Sequence, residues 1–276
     1  MLPPENIYGH TKKLRYLLDR LDDLQDRLGR RVRVLDFGCG NGEAVSQYMI
    51  RKGHDYTGVD FHRPSLEHAA QRFGKRKAKV RGRFLGHTPN DGPYDALVYS
   101  DVLEHLDDPV EVLRSHRPLI AGHGWLIGSV PNGYGPFEME KRIGKYTGLG
   151  WALSRVHGGL RRCKHAVRGK PSDGELPYNA ACGHVQFYTR ASIMQTLAQG
   201  GFAVDDFRKG CFMGASASAF VLRGQGVMKA NNAVAEVLPS WAVSTWYFTA
   251  TPTKLPAQAE GAAVSAPVAQ REAGAG

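Results

Sequence analysis

The chain has 276 residues, with 36 Lys and Arg against 26 Asp and Glu and a formal net charge of +10 at neutral pH. At 42% hydrophobic and 22% charged it has the make-up of an ordinary globular chain, one α/β domain with insertions, and not of a disordered, fibrous or membrane-spanning one. The positive balance favours an anionic partner and leaves nucleic acid, anionic lipid headgroups and a phosphorylated substrate all open.

Residues 11–28 carry Leu14, Leu17, Leu18, Leu21, Leu24 and Leu28 at three- and four-residue spacing, with charges between. This predicts an amphipathic helix that caps the sheet, set apart over residues 1–30; a coiled coil would need more heptads. A first strand over 32–36 ends in Asp36, and Phe37-Gly38-Cys39-Gly40-Asn41-Gly42 follows, with glycine at alternate positions. A helix over 43–51 and a second strand over 56–60, ending in Asp60, complete a nucleoside-binding half-unit. Glycine lets the backbone take positive φ and come close to a ligand. The acid at the end of the second strand can accept both hydroxyl protons of a ribose. Asp36 would repel a pyrophosphate but suits a cationic amino-acid group, which separates this loop from the Gly-x-Gly-x-x-Gly of dinucleotide-binding oxidoreductases.

Pro64 opens a third helix that runs to Phe73. The basic run from Lys75 to Arg83 reads as a solvated loop leading to a short strand near 80–85. A buried strand over 94–101 is followed by Asp107 or Asp108 with Pro109, a helix cap with proline in the first turn, and a helix over 110–118. A strand over 125–132 closes the regular alternation. Residues 133–183 break it with a long, glycine-rich, basic insertion. In it Ile143, Tyr146, Leu149, Leu153, Val156 and Leu160 fit two broken amphipathic helices, and Glu138 and Glu140 read as surface charges. The rhythm returns with a helix from Thr189 to Gln199 stopped by Gly200-Gly201, a strand over 202–207, a helix over 229–238 and a last strand over 241–251. Residues 253–276 read as a disordered tail. The expected fold is a doubly wound, mostly parallel seven-stranded α/β sheet over 31–252, with a basic helical insertion after strand five.

No apolar run is long enough to cross a bilayer, and residues 1–6 are not followed by the apolar segment of a secretory leader. Cys39, Cys163, Cys182 and Cys211 are scattered, which predicts free thiols in a reducing cytoplasm. No ligand cluster for a metal is read from the spacing; Asp107 and Asp108 are better explained as a cap.

The Asp-x-Gly-x-Gly-x-Gly loop, Asp60, the Asp101-Val102-Leu103-Glu104-His105-Leu106 segment and His184-Val185-Gln186-Phe187-Tyr188-Thr189-Arg190 together resemble the class I S-adenosylmethionine-dependent methyltransferases over residues 30–251. The nearest likeness is to the bacterial ubiquinone-biosynthesis-like O-methyltransferases. The resemblance implies a Rossmann-like methyltransferase fold with S-adenosylmethionine as cofactor. Asp36, Gly38, Cys39, Gly40 and Gly42 would wrap its methionine and ribose. Asp60, with Phe61 beside it, would hold the ribose. His87 would lie near the adenine, and Ser100, Asp101 and Val102 would line the methionine side. Near the adenine the chain departs from the family pattern, lacking the usual acid or amide, and Asn90 or Asp91 is left to substitute.

A hydroxyl acceptor benefits from a base, and histidine is the natural one near neutral pH. His105 follows strand four at the carboxyl edge of the sheet and His184 sits where the insertion rejoins the core, so both are catalytic candidates. Glu104 orients a histidine or caps a helix. The insertion stands where the family builds substrate lids. It either lies on an anionic membrane surface through 137–170 and reaches a lipid-linked acceptor, clamps a phosphorylated one, or is a solvated basic lid. The leading reading is methyl transfer to a small-molecule hydroxyl, in the cytoplasm or at the inner face of a membrane. The alternatives are an RNA or protein methyltransferase and a non-catalytic scaffold. No Asn-Pro-Pro-Tyr type motif follows strand four and no RNA-binding module is appended, which argues against nucleic acid.

Overall fold

The computed structural model describes residues 2–74, 82–147, 176–179, 183–214 and 224–253. The distal part of the basic insertion, the run 75–81, Cys163, Cys182 and the tail beyond 253 lie outside the described residues.

Helix α1 (His10–Leu28) leads into β1 (Arg33–Phe37), α2 (Ser46–Lys52), β2 (Asp55–Val59), α3 (Arg63–Phe73), β3 (Gly82–Leu85) and β4 (Tyr94–Ser100). Then come α4 (Pro109–His116), β5 (Ile120–Pro131), α5 (Pro136–Thr147), α6 (Arg190–Gln199), β6 (Phe202–Lys209), α7 (Gln225–Val237) and β7 (Thr245–Pro252). The seven strands lie in the order β3-β2-β1-β4-β5-β7-β6. Neighbours from β3 to β5 pair in parallel, and β7 runs antiparallel between β5 and β6. The chain winds outward from β1 to β3 and returns to β4 on the other side of β1. The gap between the carboxyl ends of β1 and β4 is therefore the switch point at which such sheets bind ligands.

Strand period two sorts the core into two layers. Leu35, Phe37, Leu97, Tyr99 and Leu126 face α4 and α6 through Leu113, Ile193 and Leu197. Val34, Ala96, Val98 and Ile127 face the other way, onto Leu14, Leu17, Leu21 and Leu24 of α1 and Met49 of α2. The leucine stripe of α1 is thus the cover of one sheet face, as its spacing predicts. Caps fix the helix starts: Asp108 Oδ1 accepts from Glu111 N at 2.9 Å, with Pro109 in the first turn, and Thr189 with Ser192 forms a reciprocal capping box at α6.

Several boundaries differ from the sequence reading. Helix α2 starts at Ser46, not 43, because Asn41 Oδ1 accepts from Glu43 N at 3.1 Å and holds 41–45 as a turn. Strand β5 starts at Ile120, five residues early, and its pairing with β4 is irregular between Tyr94 and Ala96. Helix α7 starts at Gln225 and not at Lys229. Residues 240–242 form a short 3₁₀ turn and not strand, since Asn132 Nδ2 donates to the Trp241 and Val243 carbonyls and holds them off the sheet. The first of the helices expected in the insertion is α5; residues 148–175 are outside the described residues.

Candidate active site

The Gly-rich loop leaves β1 at the switch point. Gly38 N and Cys39 N both donate to Val59 O, at 2.7 and 3.0 Å, which folds the loop over the end of β2. Gly38 sits at φ 74°, and a Cβ there would lie 2.6 Å from Val102 Cγ2. Gly40 is also left-handed, at φ 57°, but a Cβ there would meet nothing within 4 Å. Gly38 is thus glycine because the loop must pack on Val102, whereas Gly40 borders open space into which a ligand fits.

Asp60 supports that open edge. Its Oδ2 accepts from Gly40 N and its Oδ1 from His62 N, both at 2.7 Å, and each oxygen retains a lone pair on the half-buried side chain. Phe61 next to it is 49% exposed and meets Phe37 edge-on. Asp60 N donates to Leu85 O, which brings the turn carrying the exposed His87 alongside. Asp36 lies deeper. It is buried, and its carboxylate takes Tyr56 Oη at 2.6 Å and Ser46 Oγ at 3.5 Å. Burial raises its carboxyl to about 7. Burial, and after it the Asp36 and Asp60 carboxylates, also pushes the Cys39 thiol upward. Asp91 is spent elsewhere, on Arg83 and Tyr94 at the amino ends of β3 and β4.

At the end of β4, Ser100 Oγ is buried without a hydrogen-bond partner. Asp101 follows at φ 57°, the lone non-glycine residue with positive φ among the described residues. Ser129 Oγ donates to its carboxylate at 2.6 Å, and Lys13 of α1 is ion-paired with it. Burial alone would raise Asp101; the Lys13 ammonium and the Ser129 hydroxyl outweigh it and hold the carboxyl below its usual range. The reading of the sequence missed Lys13, whose place in a leucine-rich helix marks it only as a solvated charge.

Beyond Asp101 opens a cavity of about 510 Å³ bordered by Glu104, His105, Phe137, Tyr178, His184 and Thr245, among others. A second cavity, of about 450 Å³, lies at the opposite, amino edge around Arg33 and Arg83, away from the loop. His105 Nδ1 lies 3.0 Å from Gly183 O, its ring centroid is 4.9 Å from that of His184, and its Nε2 is 3.9 Å from Glu104 Oε1. Burial, together with the neighbouring His184, pulls His105 below the ordinary imidazole range against the opposing pull of the Gly183 carbonyl. Glu104 is 1% exposed, its Oε2 has no partner, and burial raises its carboxyl well above the usual range. His184 Nδ1 lies 2.9 Å from Glu138 Oε1. Glu138 is 3% exposed and paired with Lys141, which corrects its reading as a surface charge: α5 turns it inward onto the histidine. Both candidate histidines therefore stand at one cavity. Spacing revealed no metal cluster, yet the fold sets one ligand atom each of Glu104, His105 and His184 within 4.8 Å of one another.

The segment 176–179 crosses the two regions. Pro177 O accepts from Asn41 Nδ2 of the loop at 3.2 Å and from Ser65 Oγ of α3 at 3.0 Å, while Tyr178 borders the cavity.

Residues 8–206 match the family model described as a methyltransferase domain. A ubiquinone biosynthesis O-methyltransferase of Vibrio parahaemolyticus is 32% identical over 124 residues, 44% of this chain and 50% of that protein. A namesake from Bordetella avium is 33% identical over 124 residues, 44% of this chain and 49% of that protein. The chain thus spans about half the length of these curated relatives. Among solved structures, magnesium protoporphyrin IX methyltransferase of Synechocystis with bound SAH is similar at a TM-score of 0.49 and 18% identity, covering 89% of this chain and 84% of that one.

Proposed function

This chain belongs to the methyltransferase-domain family, and from that premise we propose that it transfers a methyl group from S-adenosylmethionine to a hydroxyl oxygen of a small-molecule acceptor. The observation that carries the proposal is the open, left-handed Gly40 edge with Asp60 beneath it.

The cradle fits the cofactor in three respects. Gly40 leaves room for it, Asp60 keeps free lone pairs for two ribose hydroxyls, and Ser100 Oγ is a buried polar atom without a partner at the same edge. Gly38, Cys39, Gly40 and Gly42 would form the wall, Asp60 with Phe61 the ribose end, His87 the adenine side, and Ser100, Asp101 and Val102 the methionine side. Asp36 serves from below, since its carboxylate braces Tyr56 and Ser46 and so sets the loop.

Bound S-adenosylmethionine supplies a methyl on a positively charged sulfur, an electrophile that needs no further activation by the protein. The chain's work is alignment and the handling of one proton. Alignment of this kind is worth on the order of 7–11 kcal/mol of a barrier. Asp101, fixed by Lys13 and Ser129 at the boundary between cradle and cavity, sets the distance between donor and acceptor. His105 and His184 activate the acceptor oxygen, both standing at the wall of the cavity next to Asp101.

The acceptor is lipid-linked or otherwise anionic in this reading. On α5, Met139, Ile143 and Tyr146 recur at helical spacing and are 54%, 56% and 88% exposed, with Lys141 and Arg142 between them. That face supports peripheral contact with an anionic membrane through 137–170. No helix among the described residues is long and apolar enough to cross a membrane. The cytoplasmic placement rests on the free Cys39 and Cys211 thiols.

Calorimetric titration with S-adenosylmethionine and S-adenosylhomocysteine tests the donor site. Micromolar binding, lost in Asp60→Ala, is the expected result; no binding by the wild type overturns the proposal. Co-sedimentation with phosphatidylserine vesicles at low salt tests the membrane contact, which absence of binding removes.

A further inference from the structure

Helix α7 has apolar side chains on both its inner and its outer side. Met228, Asn231 and Ala235 face inward and are buried. Asn231 Nδ2 donates to Ile7 O at 3.2 Å and to Met213 O at 3.0 Å, and Asn232 Nδ2 donates to Glu5 Oε2 at 3.0 Å. The helix is thereby pinned in one orientation. Its outer side nonetheless carries Val227, Ala230, Ala233, Val234 and Val237, all exposed. Val237 is 83% exposed, and Trp241 just beyond the helix is 75% exposed. Three- and four-residue steps gather these side chains into one stripe. A contiguous apolar stripe on the solvent side of a pinned helix marks a contact surface.

The symmetry of the stripe says what it contacts. Val227 and Val237 lie equally far from position 232, as do Ala230 and Val234, so the stripe reads alike in either direction. One charge of each sign borders it. Lys229 is in no ion pair among the described residues, and Glu236 follows two turns later on the same side. Their midpoint falls between 232 and 233. An antiparallel second copy of α7 therefore sets valine against valine and brings Lys229 of each copy opposite Glu236 of the other. Glu236 gives Oε1 to Lys12 at 2.6 Å, yet its side chain stays 58% exposed and open to a second cation. A two-fold contact demands such self-complementarity, whereas an unrelated partner does not. With one Lys and one Glu, α7 has no basic excess to draw it to an anionic bilayer.

We propose that two copies of this chain associate about a two-fold axis through antiparallel packing of the outer side of α7, with Lys229 and Glu236 paired reciprocally across it. One helix from each copy makes a small contact, so the dimer forms reversibly. The interface stands independently of the methyl-transfer reading.

Sedimentation velocity on the full chain tests it, at about 0.15 M salt to screen the +10 that each copy carries. Wild type is expected to show a monomer–dimer equilibrium. Lys229→Glu sets acid against acid twice across the axis, and Glu236→Lys sets cation against cation twice, so each alone self-associates about tenfold more weakly or worse. An equimolar mixture of the two variants regains the dimer, because every cation in the mixed pair again faces an anion. Val237→Asp, at a position the fold leaves exposed, is monomeric. Circular dichroism and thermal unfolding report the folding of each variant. A wild type that stays monomeric up to its solubility limit overturns the proposal. So does a dimer that Lys229→Glu and Val237→Asp both retain, which would place the contact on another face. A mixture that fails to regain the dimer removes the antiparallel pairing. Should Glu236→Lys not fold for want of its bond to Lys12, Val237→Asp alone decides.

Discussion

Lys13 on the first helix is ion-paired with Asp101 at the tip of β4, 88 residues further along the chain. The pair ties the helix that covers one face of the sheet to the residue that stands between the Gly-rich loop and the cavity, the proposed donor and acceptor sites, so in that proposal stability and binding share one contact.

Replacing that ammonium separates the two roles. Lys13→Met leaves Asp101 in its left-handed conformation without its counter-charge. The expected result is about tenfold weaker S-adenosylhomocysteine binding, or about 1.4 kcal/mol. Lys13→Arg retains most of the affinity. Calorimetry checks both, and equal affinity for Lys13→Met and wild type would show the pair to be structural only.

The two loop glycines answer differently to the same substitution. Gly38→Ala drives a methyl into Val102 at 2.6 Å and strains a left-handed residue, so a loss of about 1–3 kcal/mol in stability is expected. Val102→Ala in the same chain restores part of it. Gly40→Ala meets no atom, costs about 1 kcal/mol in backbone strain, and instead weakens donor binding. Denaturant unfolding and calorimetry on the three variants would falsify this division if Gly40→Ala proved the less stable.

His105→Ala lowers turnover by about 10²–10⁴-fold while the affinity for S-adenosylhomocysteine stays at the wild-type level. Unchanged turnover with a true acceptor removes His105 from the chemistry.

His116 sets an acid limit on stability. It is 5% exposed, between Tyr99 Oη and Thr88 Oγ, and burial lowers its pKa from 6.5 to about 4. The folded state holds the neutral ring where the unfolded state binds a proton. Stability from this group is therefore full above pH 6.5 and falls as pH drops toward 4. The loss amounts to about 3 kcal/mol at the acid end. Urea unfolding across that range should show the slope in wild type and a shallower one in His116→Gln.

Leu21→Ala, at a fully buried position of α1, is expected to cost about 2–5 kcal/mol, measurable as a shift in urea midpoint. A change below 0.5 kcal/mol would deny α1 its part in the core, being the size of an ordinary surface substitution at about ±0.5 kcal/mol.

The proposed donor cradle was legible because its parts are local. Gly38, Gly40 and Gly42 lie within five residues, and Asp60 ends the next strand, so alternation and glycine placement reveal them together. Lys13 and Glu138 were not, because each sits on an amphipathic helix among charges that face solvent, and only the docking of α1 and α5 selects the one that turns inward. Glu104, His105 and His184 were each named from the sequence, but their meeting at one place was not, because 79 positions separate His105 from His184 and only the folded sheet edge joins them. The boundary errors at β5 and α7 have a different origin. Gly122 and Gly124 look like a break in the sequence, and the pairing with β4 does jump there from Ile120 to Trp125, but Ile120 opposite Tyr94 places the start of the strand before them.

Pro177 fastens one side of the site to the other. Its carbonyl holds Asn41 of the cradle and Ser65 of α3, and the next residue, Tyr178, borders the acceptor cavity. A single carbonyl thus joins the Gly-rich loop, helix α3 and the cavity rim, so a displacement of Asn41 or Ser65 is transmitted through Pro177 to the residue that lines the cavity.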